Sequence, residues 1–166
     1  MKATTIARTL IVDDEAAPMQ ALRDVLRDQG YETEGFTSGE DALGVLRERQ
    51  FDLLLSDLVM PGMDGVALLT AALTIDPQLV GILMTGKGTI ETAVAAMQAG
   101  AMDYVLKPIK VSALLPVLAR AVSVRRLRLE NLELRNTVAI HELNQAIAHT
   151  LDPNVLLDKI ADAALA

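Results

Sequence analysis

The sequence contains no cysteine and no tryptophan, and only two phenylalanines and two tyrosines among its 166 residues. The absence of cysteine excludes disulfide bonds, thiolate metal ligands and a cysteine nucleophile. The shortage of aromatic rings leaves few side chains that could stack on nucleic-acid bases. We therefore expect no direct binding of nucleic acid by this chain.

Long apolar runs are missing as well. No uninterrupted run approaches the roughly 18 residues needed to cross a bilayer, and the N-terminal residues lack the apolar segment of a secretion signal. Hydrophobic residues nevertheless make up 51% of the chain, which is enough to fill the core of one domain with an extension. We expect a cytoplasmic protein with no membrane association.

The negative charge is concentrated in the first part of the chain. Residues 1–115 contain 9 Lys and Arg against 16 Asp and Glu, whereas residues 116–166 contain 6 of each. An acidic surface repels phosphate backbones, so the charge distribution also argues against binding of nucleic acid.

Short apolar segments alternate with helical patterns through the acidic part. Strands are predicted at residues 9–12, 31–36, 52–57, 79–84 and 102–106. After each strand, apolar residues recur at spacings of three and four, which predicts a helix, the last beginning near Ser112. Ser38 and Asp64 are predicted to cap the helices that follow the second and third strands. This alternation predicts an α/β fold, a three-layer sandwich around a parallel sheet.

Polar side chains stand at the ends of four predicted strands. They are Asp13 and Asp14 after the first strand, Asp57 after the third, Thr85 after the fourth and Lys107 after the fifth. Because parallel strands end at one edge of a sheet, we expect these side chains to lie together. Three nearby carboxylates repel one another unless a hard cation neutralises them, and Mg²⁺ fits such a site.

The roles of these side chains follow from their chemistry. Asp57 is the candidate reacting group, because a carboxylate beside Mg²⁺ can become an acyl phosphate. Lys107 supplies a compact positive charge for a transferred phosphoryl group, and the Thr85 hydroxyl can donate to a phosphate oxygen.

Four sequence motifs resemble two-component response regulator receiver domains across residues 8–122. They are IVDDE at Ile11–Glu15, SDLVMPGMDG at Ser56–Gly65, MTG at Met84–Gly86 and DYVLKP at Asp103–Pro108. The resemblance implies a doubly wound, flavodoxin-like (βα)5 fold with parallel strand order 2-1-3-4-5. It also implies a receiver domain within residues 1–122.

The resemblance assigns a role to each residue of the acidic site. It implies that Asp57 is the phosphoacceptor for a histidine kinase or a phosphotransfer protein. Asp13 and Asp14, with Asp57 and the Val59 carbonyl, would hold Mg²⁺, and Lys107 would pair with the phosphate.

The same resemblance makes Thr85 and Tyr104 a switch pair that remodels the surface formed by helix four, strand five and helix five. The resemblance implies that the domain is a phosphorylation-dependent switch rather than an enzyme. Its only reactions would be assisted self-phosphorylation and slow self-dephosphorylation. The stretch from Gly88 to Pro108 is most similar to receivers that precede transcriptional-activator ATPase modules.

Two other phosphate-handling motifs are incomplete. A phosphate-binding loop at Gly81–Lys87 is excluded because Gly88 replaces the required Ser or Thr and because residues 82–84 are predicted strand. A haloacid-dehalogenase-like phosphatase requires a second aspartate two residues after Asp57, where this chain has Val59.

A heptad-like seam follows the predicted receiver. Its apolar positions, with Arg125 and Asn136 as polar interruptions, are Leu115, Leu118, Val122, Leu129, Leu132, Ala139, Leu143 and Ala146. The seam predicts a homodimer through the helix at residues 115–150, with residues 123–150 as a coiled-coil linker. An amphipathic helix on another domain is the alternative, and Arg125, Arg126 and Arg128 are interpreted as a solvated face.

The last part of the chain leaves three hypotheses open. Residues 143–166 resemble the opening helix of a GAF domain, and residues 151–166 are predicted to begin a further, GAF-like output module. His141 begins HELNQ, which resembles the phosphoacceptor box of histidine kinases, although Ala146 replaces the family's proline. A constitutive dimerisation scaffold is the competing function, and in that case the receiver fold would not respond to phosphorylation.

Overall fold

The computed structural model describes residues 5–150, so the predicted start of a GAF-like domain at residues 151–166 lies outside the described residues. Five parallel strands form one sheet in the order β2-β1-β3-β4-β5. The strands are β1 (Arg8–Val12), β2 (Glu32–Phe36), β3 (Leu53–Asp57), β4 (Val80–Thr85) and β5 (Asp103–Leu106). The helices are α1 (Ala16–Asp28), α2 (Gly39–Glu48), α3 (Gly65–Ile75), α4 (Ile90–Gln98) and α5 (Val111–Thr150). The predicted doubly wound, flavodoxin-like fold is confirmed.

The central strands are apolar because helices cover both faces of the sheet. Every residue of β3 and β4 is buried. Alternate side chains enter different cores, as the period of two along a strand requires. Leu54 and Leu83 pack with residues of α2, α3 and α4, whereas Leu53 and Leu55 pack with residues of α1 and α5.

Side-chain caps determine where three helices begin. The Ser38 hydroxyl accepts a hydrogen bond from the backbone of Asp41, and the Asp64 carboxylate accepts one from Ala67. These two caps match the sequence patterns that predict them. The cap of α4 was not predicted: the Thr89 and Thr92 side chains each bond the other's backbone N–H in a capping box.

The helix α5 crosses the boundary between two compact units, the first ending at Leu127 and the second beginning at Arg128. In the first unit Leu114, Leu118 and Ala121 are fully buried against the sheet. The prediction that Leu118 belongs to a dimer seam is therefore wrong, because the core-facing stripe of a surface helix has nearly the same spacing as a heptad. Leu115 and Val122 are also partly buried against this core.

Arg125 also differs from its prediction. The sequence pattern places it on a solvated face, as a polar interruption of the seam, but it is only 6% exposed. The reason is that Arg125 continues the buried stripe of α5 and meets two carboxylates there.

In the second unit, the described part of α5 leaves large apolar side chains exposed. Leu129, Leu132 and Leu143 of the predicted seam are 37%, 41% and 62% exposed. Within residues 5–150, no helix has both the length and the apolar content that a membrane crossing requires.

Candidate functional site

Three carboxylates meet at the carboxyl edge of the sheet. Strands β1 and β3 are neighbours with Val12 opposite Ser56, so the acids that follow β1 lie beside the last residue of β3. Asp13, Asp14 and Asp57 each offer an oxygen, and these oxygens lie within 4.8 Å of one another. Asp13 and Asp57 are buried and Asp14 is exposed, so the cluster opens to solvent on one side.

Lys107 binds two of these carboxylates directly. Its Nζ lies 2.6 Å from Asp13 Oδ2 and 2.8 Å from Asp57 Oδ2. Burial by itself lowers the pKa of the Lys107 ammonium, but the hydrogen bonds and charges of the two aspartates outweigh burial and raise that pKa. The lysine therefore stays charged at neutral pH and partly neutralises the cluster.

The loop after β3 packs closely against the strand end. The Gly65 N–H donates to the Leu58 carbonyl at 2.9 Å, and a Cβ at position 65 would lie 2.2 Å from the Asp57 carbonyl oxygen. A side chain at position 65 is therefore sterically excluded. The Val59 N–H donates to Asp57 Oδ1 at 3.4 Å, while the Val59 side chain is exposed.

Thr85 is the last residue of β4 and is buried. Its hydroxyl oxygen accepts a hydrogen bond from the Lys87 N–H at 3.2 Å, and its carbonyl accepts one from the Lys107 N–H at 2.7 Å. Since Met84 lies opposite Asp57 in the sheet register, Thr85 ends its strand at the edge where the carboxylates gather.

Tyr104 is half-buried on β5, and its hydroxyl lies 2.9 Å from Thr92 Oγ1 on α4. The same Thr92 hydroxyl donates to the Thr89 carbonyl and belongs to the capping box of α4. Sequence reasoning missed this contact because the two side chains lie on different elements. The local signal that could have suggested it was the Thr-x-x-Thr spacing at the start of the helix.

An open groove of about 370 Å³ adjoins the acidic site. Asp13, Glu15 and Lys107 line it beside apolar residues of α1 and of the loop after β5. The groove gives solvent and larger molecules access to Asp13 and Lys107 from the side of α1.

His141 belongs to the second unit, whereas the acidic site is built within the first. It lies exposed on α5, where its Nε2 is 3.1 Å from Gln145 Nε2. This contact joins residues one helical turn apart. Because Gln145 is an uncharged amide, the contact pairs the imidazole ring of His141 with no carboxylate.

The strand order and the acidic edge agree with the comparison to known families. Residues 9–119 match the family described as the response regulator receiver domain. Because this match covers more than half of the sequence, the chain belongs to the response regulator receiver family.

Individual relatives show how far the likeness extends. The response regulator protein FleR of Pseudomonas aeruginosa is 45% identical over 114 residues, which cover 69% of this chain and 24% of FleR. The C4-dicarboxylate transport transcriptional regulatory protein DctD of Rhizobium meliloti is 35% identical over 159 residues, covering 87% of this chain and 35% of DctD. The chain thus spans about a quarter to a third of the length of these relatives.

A solved structure extends the likeness to three dimensions. The solution structure of the beryllofluoride-activated NtrC4 receiver domain dimer superposes with a TM-score of 0.68 at 30% identity. The match covers 71% of this chain and 98% of that one.

Proposed function

We propose that this chain is a phosphorylation-driven switch whose phosphoacceptor is Asp57. The observation that carries the proposal is the contact of Lys107 with both Asp13 and Asp57 inside a three-carboxylate cluster. A structural ion pair needs one acid, whereas a lysine bound to two acids of a three-carboxylate cluster suits a site that receives further positive charge and a phosphoryl group.

The donor is proposed to be a phosphohistidine of a histidine kinase or phosphotransfer protein. An Asp57 carboxylate oxygen attacks phosphorus and the P–N bond breaks, so that the acyl phosphate forms and the histidine nitrogen takes a proton from solvent. Asp57 is buried, but Lys107, which lies 2.8 Å from Asp57 Oδ2, lines the adjoining groove together with Asp13.

The donor set of the site suits Mg²⁺. Asp13, Asp14 and Asp57, with the Val59 carbonyl, would hold the ion through hard oxygen atoms, which Mg²⁺ prefers. When bound, Mg²⁺ supplies positive charge that offsets the phosphoryl oxygens. Lys107, whose Nζ lies 2.8 Å from Asp57 Oδ2, would pair with the phosphate.

Thr85 and Tyr104 are proposed to transmit the change. Phosphorylation adds about −1.5 to −2 charges and three acceptor oxygens at Asp57. The Thr85 hydroxyl, held now by a hydrogen bond from the Lys87 N–H, can donate to one of these oxygens. Its movement would free space for the ring of Tyr104, which is half-buried on β5 with its hydroxyl 2.9 Å from Thr92 Oγ1 of α4.

The test of the phosphoacceptor is labelling by acetyl phosphate with Mg²⁺. We expect Asp57→Asn to abolish labelling, because an amide cannot form the acyl phosphate. The control is Asp28→Asn, since Asp28 is an exposed aspartate at the end of α1. Labelling of the Asp57→Asn variant at the wild-type level would remove Asp57 from its role.

We further propose that α5 beyond residue 127 forms a homodimeric coiled coil. Leu129, Leu132 and Leu143 support this proposal, because large apolar side chains at heptad spacing are exposed in the single chain. A monomer in analytical ultracentrifugation at high micromolar concentration would contradict it.

A constitutive scaffold with the same fold is the alternative function. Titration with beryllofluoride and Mg²⁺ distinguishes the two, with amide chemical shifts followed near Thr85 and Tyr104. A switch shifts these resonances, whereas a scaffold leaves them unchanged.

A further inference from the structure

A buried arginine lies at the edge of the sheet opposite Asp57. The side chain of Arg125 is 7% exposed, with Nη2 2.9 Å from Asp76 Oδ2 and Nε 3.5 Å from Asp52 Oδ1. Asp52 immediately precedes β3, whose other end carries Asp57. The two ion pairs are therefore separated from the acidic site by the length of a strand.

Backbone hydrogen bonds hold both carboxylates in place. Asp52 Oδ2 accepts from the Arg8 N–H at 2.8 Å, which leaves Oδ1 to face Arg125. Asp76 Oδ1 accepts from the Gln78 N–H at 2.8 Å, which leaves Oδ2 for the guanidinium. Each acid thus uses one oxygen to bind the backbone and the other to face Arg125. The backbone hydrogen bonds keep both carboxylates in place if α5 moves.

The ion pairs join the two layers of helices. Residues of α5 pack in the core on one face of the sheet, while α3, which Asp76 terminates, packs in the core on the other face. Arg125 therefore links α5 on one face of the sheet to the end of α3 on the other face. It is the last buried residue of α5 within the first unit, which ends at Leu127.

The apolar contacts of α5 do not by themselves specify where the helix sits. Leu114 and Leu118 are four residues apart and both fully buried, so a shift by one turn would put Leu118 where Leu114 had been and Ala121 near the site of Leu118. Apolar burial is non-directional, so packing opposes such a shift only through the volume that the alanine leaves unfilled. A buried guanidinium opposes the shift directly, because a shifted Arg125 would leave three charges without their partners.

We propose that Arg125 is a positioning residue that locks the register of α5 on the receiver, so that a change at Asp57 is transmitted to the helix beyond Leu127. The claim that Arg125 fixes the register of α5 depends only on the two ion pairs. The claim that Arg125 helps to transmit a change at Asp57 rests on the proposed function.

The register can be measured because the chain contains no cysteine. Cysteines at the exposed positions Glu48 and Ser123 would carry spin labels on α2 and α5, for distance measurement by pulsed electron paramagnetic resonance. With Arg125→Met we expect a second or broadened distance, displaced by about 5 Å for one helical turn. The control is Arg135→Met, the same change at an exposed position of the same helix.

If Arg125→Met gives a single distance between the labels, identical to the distance in the labelled protein that keeps Arg125, the register lock is overturned. If Arg125→Met does not fold, Asp76→Asn tests the same ion pair, since it removes the charge and keeps the size of the side chain. We expect Asp76→Asn to broaden the distance distribution in the same way.

Transmission is tested by adding beryllofluoride and Mg²⁺ to the same labelled proteins. In Arg125→Met we expect the chemical-shift response near Thr85 to persist, while any beryllofluoride-induced change in sedimentation of the protein is lost. An Arg125→Met variant that keeps both responses contradicts transmission through this residue. If the parent protein lacks the response near Thr85, the proposed function fails, whereas the distance measurement still decides the register lock.

Discussion

Replacement of Lys107 by methionine tests the electrostatics of the acidic site most directly. The substitution keeps the approximate length of the side chain and removes the ammonium that lies 2.6 Å from Asp13 and 2.8 Å from Asp57. Carboxylate oxygens within 4.8 Å of one another then repel without compensation. At an effective dielectric constant of about 20, two such charges repel by roughly 3 kcal/mol.

We therefore expect Lys107→Met to lower the free energy of unfolding by about 3 kcal/mol at neutral pH without Mg²⁺. For a chain of this size the melting temperature falls by about 6–12 °C. Mg²⁺ should restore more stability to the variant than to the wild type, because the variant's carboxylates lack their internal cation.

The assay is thermal unfolding followed by circular dichroism, with and without Mg²⁺. Lys110→Met is the matched control, since Lys110 is an exposed lysine three residues further on. An equal loss of stability in the presence and absence of Mg²⁺ would refute the electrostatic reasoning. So would a Lys107→Met variant as stable as the Lys110→Met control.

Three further results are expected. Gly65→Ala should destabilise the fold by more than about 1 kcal/mol, because its Cβ would lie 2.2 Å from a carbonyl oxygen. Gly44→Ala is the control, since a Cβ there meets open space, and equal melting curves for the two variants would contradict the prediction. Tyr104→Phe and Thr92→Val should couple by about 1 kcal/mol in a double-mutant cycle, and additive effects would exclude their hydrogen bond. Because the pKa of Lys107 is raised, its ion pairs should stabilise the fold at neutral pH, and this stabilisation should be lost only above pH about 10.4. Urea unfolding at a series of pH values measures it, and a loss of stability near pH 8 would contradict the expectation.

Local rules were sufficient for most of the fold. Strand and helix periodicity placed all five strands to within a residue or two, and the Ser38 and Asp64 caps were recognisable because a cap bonds a backbone N–H only three residues away. The gathering of Asp13 and Asp57 also followed from sequence, because parallel strands deliver their ends to one edge.

The same local rules failed where two structures share one periodicity. A helix that packs on a sheet and a helix that pairs with another helix both repeat apolar residues every three or four positions. Sequence reasoning therefore placed Leu118 in a dimer seam and Arg125 on a solvated face, as a polar interruption of that seam. Tertiary packing put Leu118 in the core of the receiver.

The sequence by itself thus determined the class of fold and the edge at which the carboxylates meet, because both depend on the order and ends of strands. Only the tertiary structure decided which side chains touch across that framework. Lys107 is 50 residues from Asp57 and 94 from Asp13, so no local pattern records that it bridges both. Arg125 likewise meets Asp52 and Asp76 only because the folded chain brings α5 to the far edge of the sheet.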